Sequence, residues 1–303
     1  MLRARTLAAL FPLLTLTASA QIAEPAQAPI ARVFHPDAPL PSYDVATIKP
    51  FIPVTAPNGM IISNGSTVRQ YIRNAFSPPS TQLASSQVIG GPDWIDKDKF
   101  DFKGKPSPDI EVALKKMKNE DQTAQNRAMQ QSLLAERFHL KVHFEVREMP
   151  VYTLVPAKSG LKIKAVDAPP ERDPNSPPAP PPAFTPGGPL PPGMMLIMMK
   201  SSGERTMRAR ATNMSGLLNL LRNNSGEAGD RPIIDRTGFT GHFDVDDLTF
   251  APLTAAPSAD PTSASDAPSL ATALEESLGI KLVATKGPVE VVVIDSIDHP
   301  SDN

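Results

Sequence analysis

The chain has 303 residues, with 30 basic and 32 acidic side chains, a formal net charge of −2, no cysteine and 35 prolines. The lack of cysteine excludes disulfides, thiol nucleophiles, zinc–thiolate sites and the acylated cysteine of a lipoprotein. The slightly acidic balance is not the electrostatic footprint of a nucleic-acid binder, and no polybasic membrane patch stands in the sequence.

The first twenty residues read as a leader. Arg3 and Arg5 form a positive start, Leu7 to Leu16 is apolar, and Ala18-Ser19-Ala20 is an A-x-A cleavage site. Cleavage between Ala20 and Gln21 predicts export, to the periplasm or the exterior. The apolar run is well short of the ~20 residues needed to span a bilayer. No later segment reaches that length, so no transmembrane segment is expected in the mature chain. Without the two leader arginines the balance is 28 basic to 32 acidic, a net of −4.

Residues 21–42 are rich in proline and alanine and are expected to be poorly ordered. A first α+β unit is predicted over 43–165. It opens on the strand Tyr43–Pro50, ended by Pro50. Val68, Tyr71, Ile72 and Ala75 then give the i, i+3, i+4, i+7 spacing of an amphipathic helix. Ser66 or Thr67 can cap it, and Pro78-Pro79 stops it. Phe100-Asp101-Phe102 alternates as a strand with one wet face. Leu133, Leu134 and Phe138 mark a second helix. Leu140, Val142, Phe144 and Val146 alternate with Lys141, His143, Glu145 and Arg147, and Pro150 suggests a tight turn into a further strand.

Residues 166–193 form a proline-rich linker, with twelve prolines between Pro169 and Pro192. So many missing N–H groups exclude a helix or central strand and favour an extended, semi-rigid spacer. The second unit, 194–303, repeats the order of the first. Asn213 caps a helix carrying Met214, Leu217, Leu218 and Leu221, and Phe243-Asp244-Val245 alternates. Leu270, Leu274 and Leu278 form a helical stripe ended by Gly279. A strand, a turn at Pro288 and the apolar strand Val289–Ile294 follow, the last expected to be covered on both faces. Residues 255–268 read as a flexible loop. The predicted fold class is α+β, two similar β-α-β-α-β-β units in pseudo-duplication.

Five blocks, YDVATIKP (43–50), IGGPDWIDKDKFD (89–101), QSLLAERFHLKVHFEVREMPVYTLV (131–155), RPIIDRTGFTGHFD (231–244) and SLATALEESLGIKLVATKGPVEVVVID (269–295), carry a resemblance. The chain resembles secreted, soil-associated bacterial proteins, expanded in acidobacteria and built on a conserved domain of unknown function. The resemblance brings no catalytic residue. In some relatives a similar domain follows a membrane metallopeptidase domain of antibiotic-sensor type, which implies a sensory or envelope role. This chain has no H-E-x-x-H of its own.

Several constellations were weighed for chemistry. His139 and His143 are four apart, but on a strand that spacing is ~13 Å, too far for one metal. Met194, Met195, Met198 and Met199 are soft ligands at a linker–strand junction, where thioethers also fill gaps. Asp244, Asp246 and Asp247 lack the calcium-loop pattern. Ser159-Gly160-Leu161-Lys162 matches S-x-x-K without its companion motifs. No catalytic residue, metal or cofactor is assigned. The candidate ligand surface is Gly90, Gly91 and Trp94, the only tryptophan, read either as an aromatic platform beside a tight turn or as a core plug. The expected function is a non-enzymatic binding module for an envelope protein, peptide or glycan. The alternatives are an extracytoplasmic hydrolase with a site between the units and a sensory domain working with a membrane metallopeptidase.

Overall fold

The computed structural model describes residues 32–33, 40–53, 65–170, 188–200, 204–224, 231–251 and 267–300. The expected leader, most of 21–42, and the greater parts of the proline-rich stretch 166–193 and the loop 255–268 lie outside them. The fold class is α+β. In the first half run β1 (Arg32–Val33), β2 (Val45–Pro50), β3 (Ser66–Thr67), α1 (Val68–Phe76), β4 (Val88–Gly90), α2 (Trp94–Lys97), β5 (Lys99–Lys105), α3 (Pro108–Lys115), α4 (Asn119–Phe138) and β6 (Lys141–Pro156). In the second run β7 (Ala165–Val166), β8 (Met195–Met199), β9 (Arg205–Thr212), α5 (Met214–Asn224), β10 (Ile233–Asp235), β11 (His242–Phe250), α6 (Leu270–Leu278) and β12 (Ile280–Ser296).

The helix ends follow local chemistry. Thr67 accepts from the Gln70 backbone N–H at 3.3 Å, and the Gln70 side chain returns the bond to the Thr67 N–H at 3.1 Å, a reciprocal capping box. Asn213 accepts from Gly216 N–H at 2.9 Å at the start of α5. Gly279 ends α6 in the left-handed region, at φ 65°.

The expected turns at Pro150 and Pro288 do not occur. Residues 141–156 are one strand of 16 residues and 280–296 one of 17, and the two pair antiparallel along their length. At ~3.3 Å per residue this is a ribbon about 50 Å long. Hydrogen-bond direction explains why proline is tolerated. Tyr152, two residues beyond Pro150, sends its N–H outward to the Pro232 carbonyl at 2.9 Å. Glu290, two beyond Pro288, offers its carbonyl outward to Gln87 Nε2 at 2.9 Å. By period two, both prolines also point their nitrogens away from the partner strand, so the β6–β12 ladder loses no bond.

β6 and β12 form the middle of a five-stranded sheet in the order β1-β6-β12-β4, with β10 also beside β6. A four-stranded sheet, β7-β11-β9-β8, and a three-stranded sheet, β2-β5-β3, complete the fold. With β3, α2 and α3 of the first half set aside, the order β-α-β-β-α-β runs through β2, α1, β4, β5, α4, β6 and again through β9, α5, β10, β11, α6, β12. This differs from the expected β-α-β-α-β-β because each supposed hairpin is one strand and a short strand precedes β5 and β11.

The pairing is crossed. β4 of the first half runs parallel to the end of β12, with Val88 against Val292, while β10 of the second runs parallel to the end of β6, with Ile233 against Tyr152. The cores are crossed in the same way. The first packs α1, α2, α4 and the start of β6 around Val292 and Ile294 of β12. The second packs α5, α6, β9, β11 and the start of β12 around Leu154 of β6. Both occupy the even-numbered face of the ribbon. The odd-numbered face carries a third cluster of Val151, Val289 and Val291 with Ile89, Met149, Ile234 and Val293. Val289 to Ile294 is thus buried on both faces, as its apolar run predicts.

Candidate functional site

The three candidate residues meet at the end of the ribbon where β6 begins and β12 finishes. Gly90 and Gly91 both hold positive φ, 80° and 83°. A Cβ on Gly91 would lie 2.5 Å from Ile95 Cδ1 and 3.1 Å from Ile294 Cδ1, so a side chain there would have to displace Ile95 and hold a backbone conformation that favours glycine. The turn they make delivers Trp94 to the first position of α2.

Arg69, from the first turn of α1, fixes that turn. Its guanidinium donates to Asp96 through Nε (2.5 Å) and Nη2 (2.9 Å), to the Val88 carbonyl (2.7 Å) and to the Gly90 carbonyl (3.0 Å). A two-pronged carboxylate contact plus two carbonyls uses the fork geometry peculiar to arginine. Sequence reasoning passed over Arg69 because its partners lie 19 to 27 residues away.

Trp94 is half-buried, with a stacked partner on each side. Phe138, the last residue of α4, lies at 6.3 Å between centroids and 14° between planes, and the His299 imidazole lies at 3.9 Å and 24°. The indole packs in part against the first core and in part lies at the surface under His299. His299 arrives because β12 has a register irregularity between Ile294 and Ser296, which redirects the strand. Ile297 packs on the first core, and the Asp298 N–H donates to the Phe138 carbonyl at 2.8 Å.

Three histidines gather at this end. His139 is not a strand residue; it closes α4 in the left-handed region at φ 48°, and its Nδ1 lies 3.3 Å from Asp298. His143, on β6, has Nδ1 2.7 Å from Asp295. The four-residue pair is thus split between two carboxylates rather than converging on one point. His299 is the third.

The other constellations disperse. Asp244 takes Arg210 at 2.5 Å and the Ala211 N–H at 2.8 Å, and Asp247 faces Arg208 at 3.4 Å, so guanidinium groups occupy the oxygens considered for calcium. Met195 lies on β8 against the second core, while Met198 and Met199 are exposed on this strand, which pairs only with β9 among the described residues. Ser159 and Lys162 line a groove of about 520 Å³ with Thr272, Glu275, Glu276 and Lys281. The Lys162 ammonium there donates to the Glu276 carbonyl at 2.6 Å. This groove draws Ser159 and Lys162 from the segment that follows β6 and the rest from α6 and β12, so both halves line it.

The second half offers an internal comparison. Ile89 and Ile234 hold matching places on β4 and β10, and both contribute to the third cluster. Five residues after Ile89 stands Trp94; five after Ile234 stands Phe239. Phe239 meets Phe243 edge-on at 5.5 Å and packs on the second core. Only the first half places at this position a large ring stacked on a surface residue.

The fold and site define an α+β protein with one surface-stacked tryptophan at the end of a shared ribbon. A family model described as "Protein of unknown function (DUF3738)" matches residues 69–297, and the chain belongs to that family. Neither the curated proteins nor the solved structures include a match. No helix among the described residues is long and apolar enough to cross a membrane.

Proposed function

We propose that this protein is an exported, non-enzymatic binding module that presents the Trp94 surface to an envelope or extracellular ligand. Export rests on the leader-like residues 1–20 and on the likeness to secreted, soil-associated proteins. The observation that carries the binding reading is the setting of Trp94. Its large flat ring lies at the surface on a frame that leaves it little freedom, with the Gly90-Gly91 turn wedged against Ile294 and Arg69 bonded to four oxygens around it. A rigid aromatic ring held at a surface supplies contact area with little ordering cost on binding. Glycans and peptides with flat apolar faces are its natural partners. The two halves, proposed here as repeats of one unit, lend each other a strand end and so hold this surface on a single scaffold.

The test is capture by residues 21–303 from the envelope and secreted fractions of the source organism, with Trp94→Ala alongside. The reading expects a defined polymer or protein retained by the parent chain and lost with the variant. Equal capture by both would overturn the assignment to Trp94. Because Trp94 is the only tryptophan, a recovered ligand should also change the intrinsic emission directly.

A further inference from the structure

We infer that the segment following β12 is a built-in occupant of the Trp94 surface, with His299 standing where an incoming ring would stack. This rests on the binding reading above and names its regulation. The imidazole lies nearly parallel to the indole at 3.9 Å between centroids, the contact a flat ligand ring would make. Ligand and His299 therefore compete for the same ring.

The segment has a firm root and a loose tip. Its root is Ile297, packed on the first core, and the bond from Asp298 N–H to the Phe138 carbonyl. Its tip is held by the His139–Asp298 contact, whose side chains are 71% and 69% exposed, and by the stack itself. Exposed pairs of this kind contribute little. His299 is itself exposed, so it can leave without disturbing the core. A hinge at Asp298 would uncover the indole while Ile297 stays in place.

The experiment measures acrylamide quenching of Trp94 emission in the full chain, in His299→Ala, in His299→Phe and in a chain ending at Ile297. Acrylamide is a neutral quencher and reports ring access whether or not a ligand is known. Quenching should rise by roughly 2-fold or more in His299→Ala and in the shortened chain, while His299→Phe, which keeps the stack, should stay near the parent value. Unchanged quenching in both His299→Ala and the shortened chain would overturn the inference. A thermal melt of each variant separates uncovering from unfolding.

Capture from the envelope fraction is then compared on the same proteins. Removing the competitor should tighten capture by roughly 2- to 13-fold, the equivalent of a ring stack of about 0.5–1.5 kcal/mol. Increased quenching with capture that ignores both His299 and Trp94 leaves the cap in place and refutes the binding reading. Unchanged quenching with capture lost in Trp94→Ala does the reverse.

Discussion

Leu154 belongs to the first half by sequence and to the second core by position, and replacing it with alanine tests whether the halves fold as one. The side chain is fully buried among residues of α5, α6, β10 and β11. Leucine-to-alanine changes in such sites cost about 3–5 kcal/mol, from lost transfer energy and the cavity left behind. For a protein of this size each kcal/mol lowers the melting temperature by about 2–4 °C, so the expected loss is roughly 6–20 °C. Trp94, the only tryptophan, sits in the other core. Positions 142 and 154 of β6 mark the two cores, and twelve residues of strand put them about 40 Å apart. Melting followed by Trp94 emission therefore reads the first core while the damage lies in the second. With β6 and β12 paired along their whole length, the Trp94 transition should fall by the full amount, together with the far-ultraviolet circular dichroism. A Trp94 transition at the parent temperature, with circular dichroism lost in two steps, would refute the crossed-strand argument and favour separately folding units.

Gly91→Ala would put a methyl group 2.5 Å from Ile95 Cδ1 at a φ of 83°, a strain of about 1–3 kcal/mol. Urea unfolding should show that loss, with a shifted Trp94 emission maximum in the native state. Burial pushes the hydroxyls of Tyr43 and Tyr71 above the usual range near 10. The unfolded chain then gives up these protons first, so stability present below pH 10 falls as pH rises beyond it. Tyr71→Phe should flatten the alkaline loss measured by urea unfolding between pH 9 and about 11. Burial also pushes the Arg222 guanidinium down to about 10. Arg222 also donates to the carbonyls of Gln82, in the first half, and Ile233, in the second. Removing it should cost about 1.5–3 kcal/mol in the same assay.

Much of the local structure was legible because its causes are local. Thr67, Asn213 and Gly279 each satisfy backbone groups within a few residues, and the apolar spacing of α1, α5 and α6 points at the cores they fill. Proline misled for a physical reason. Pro150 and Pro288 look like turn residues, but in a strand only the direction of the missing N–H matters, and that direction depends on a partner some 140 residues away. β4 and β10, at three residues each, are too short for any periodicity to show. α4 was visible only at its end, because the polar first turns, Asn119 to Arg127, show no stripe. At the site, the sequence singled out the Gly90-Gly91 turn and the sole tryptophan. Its contacts with Arg69 and His299 were invisible, since neither distance along the chain leaves a pattern. His139 likewise gave no sign of its left-handed backbone, which glycine or asparagine more often adopts.

The crossing of the halves bears directly on what the Trp94 site can be. Its floor is Phe138 and its turn rests on Ile294, so one wall comes from each half of the chain. The matching place in the second half has Gly238 and Phe239, and there the ring turns inward onto Phe243. If the Trp94 geometry served packing alone, the inward aromatic of the second half would be the simpler solution for both. Instead the first half spends two consecutive positive-φ glycines and a four-bond arginine to hold a larger ring at the surface, then covers it with an exposed histidine. Glycine takes positive φ without steric strain, so the turn fixes the position of a ring that is shared between the first core and His299. The site also depends on the end of β12, so it exists only when both halves are folded together. On the proposed reading, binding at Trp94 is coupled to the integrity of the shared ribbon, and a ligand that stacks there should raise the melting temperature of both cores at once.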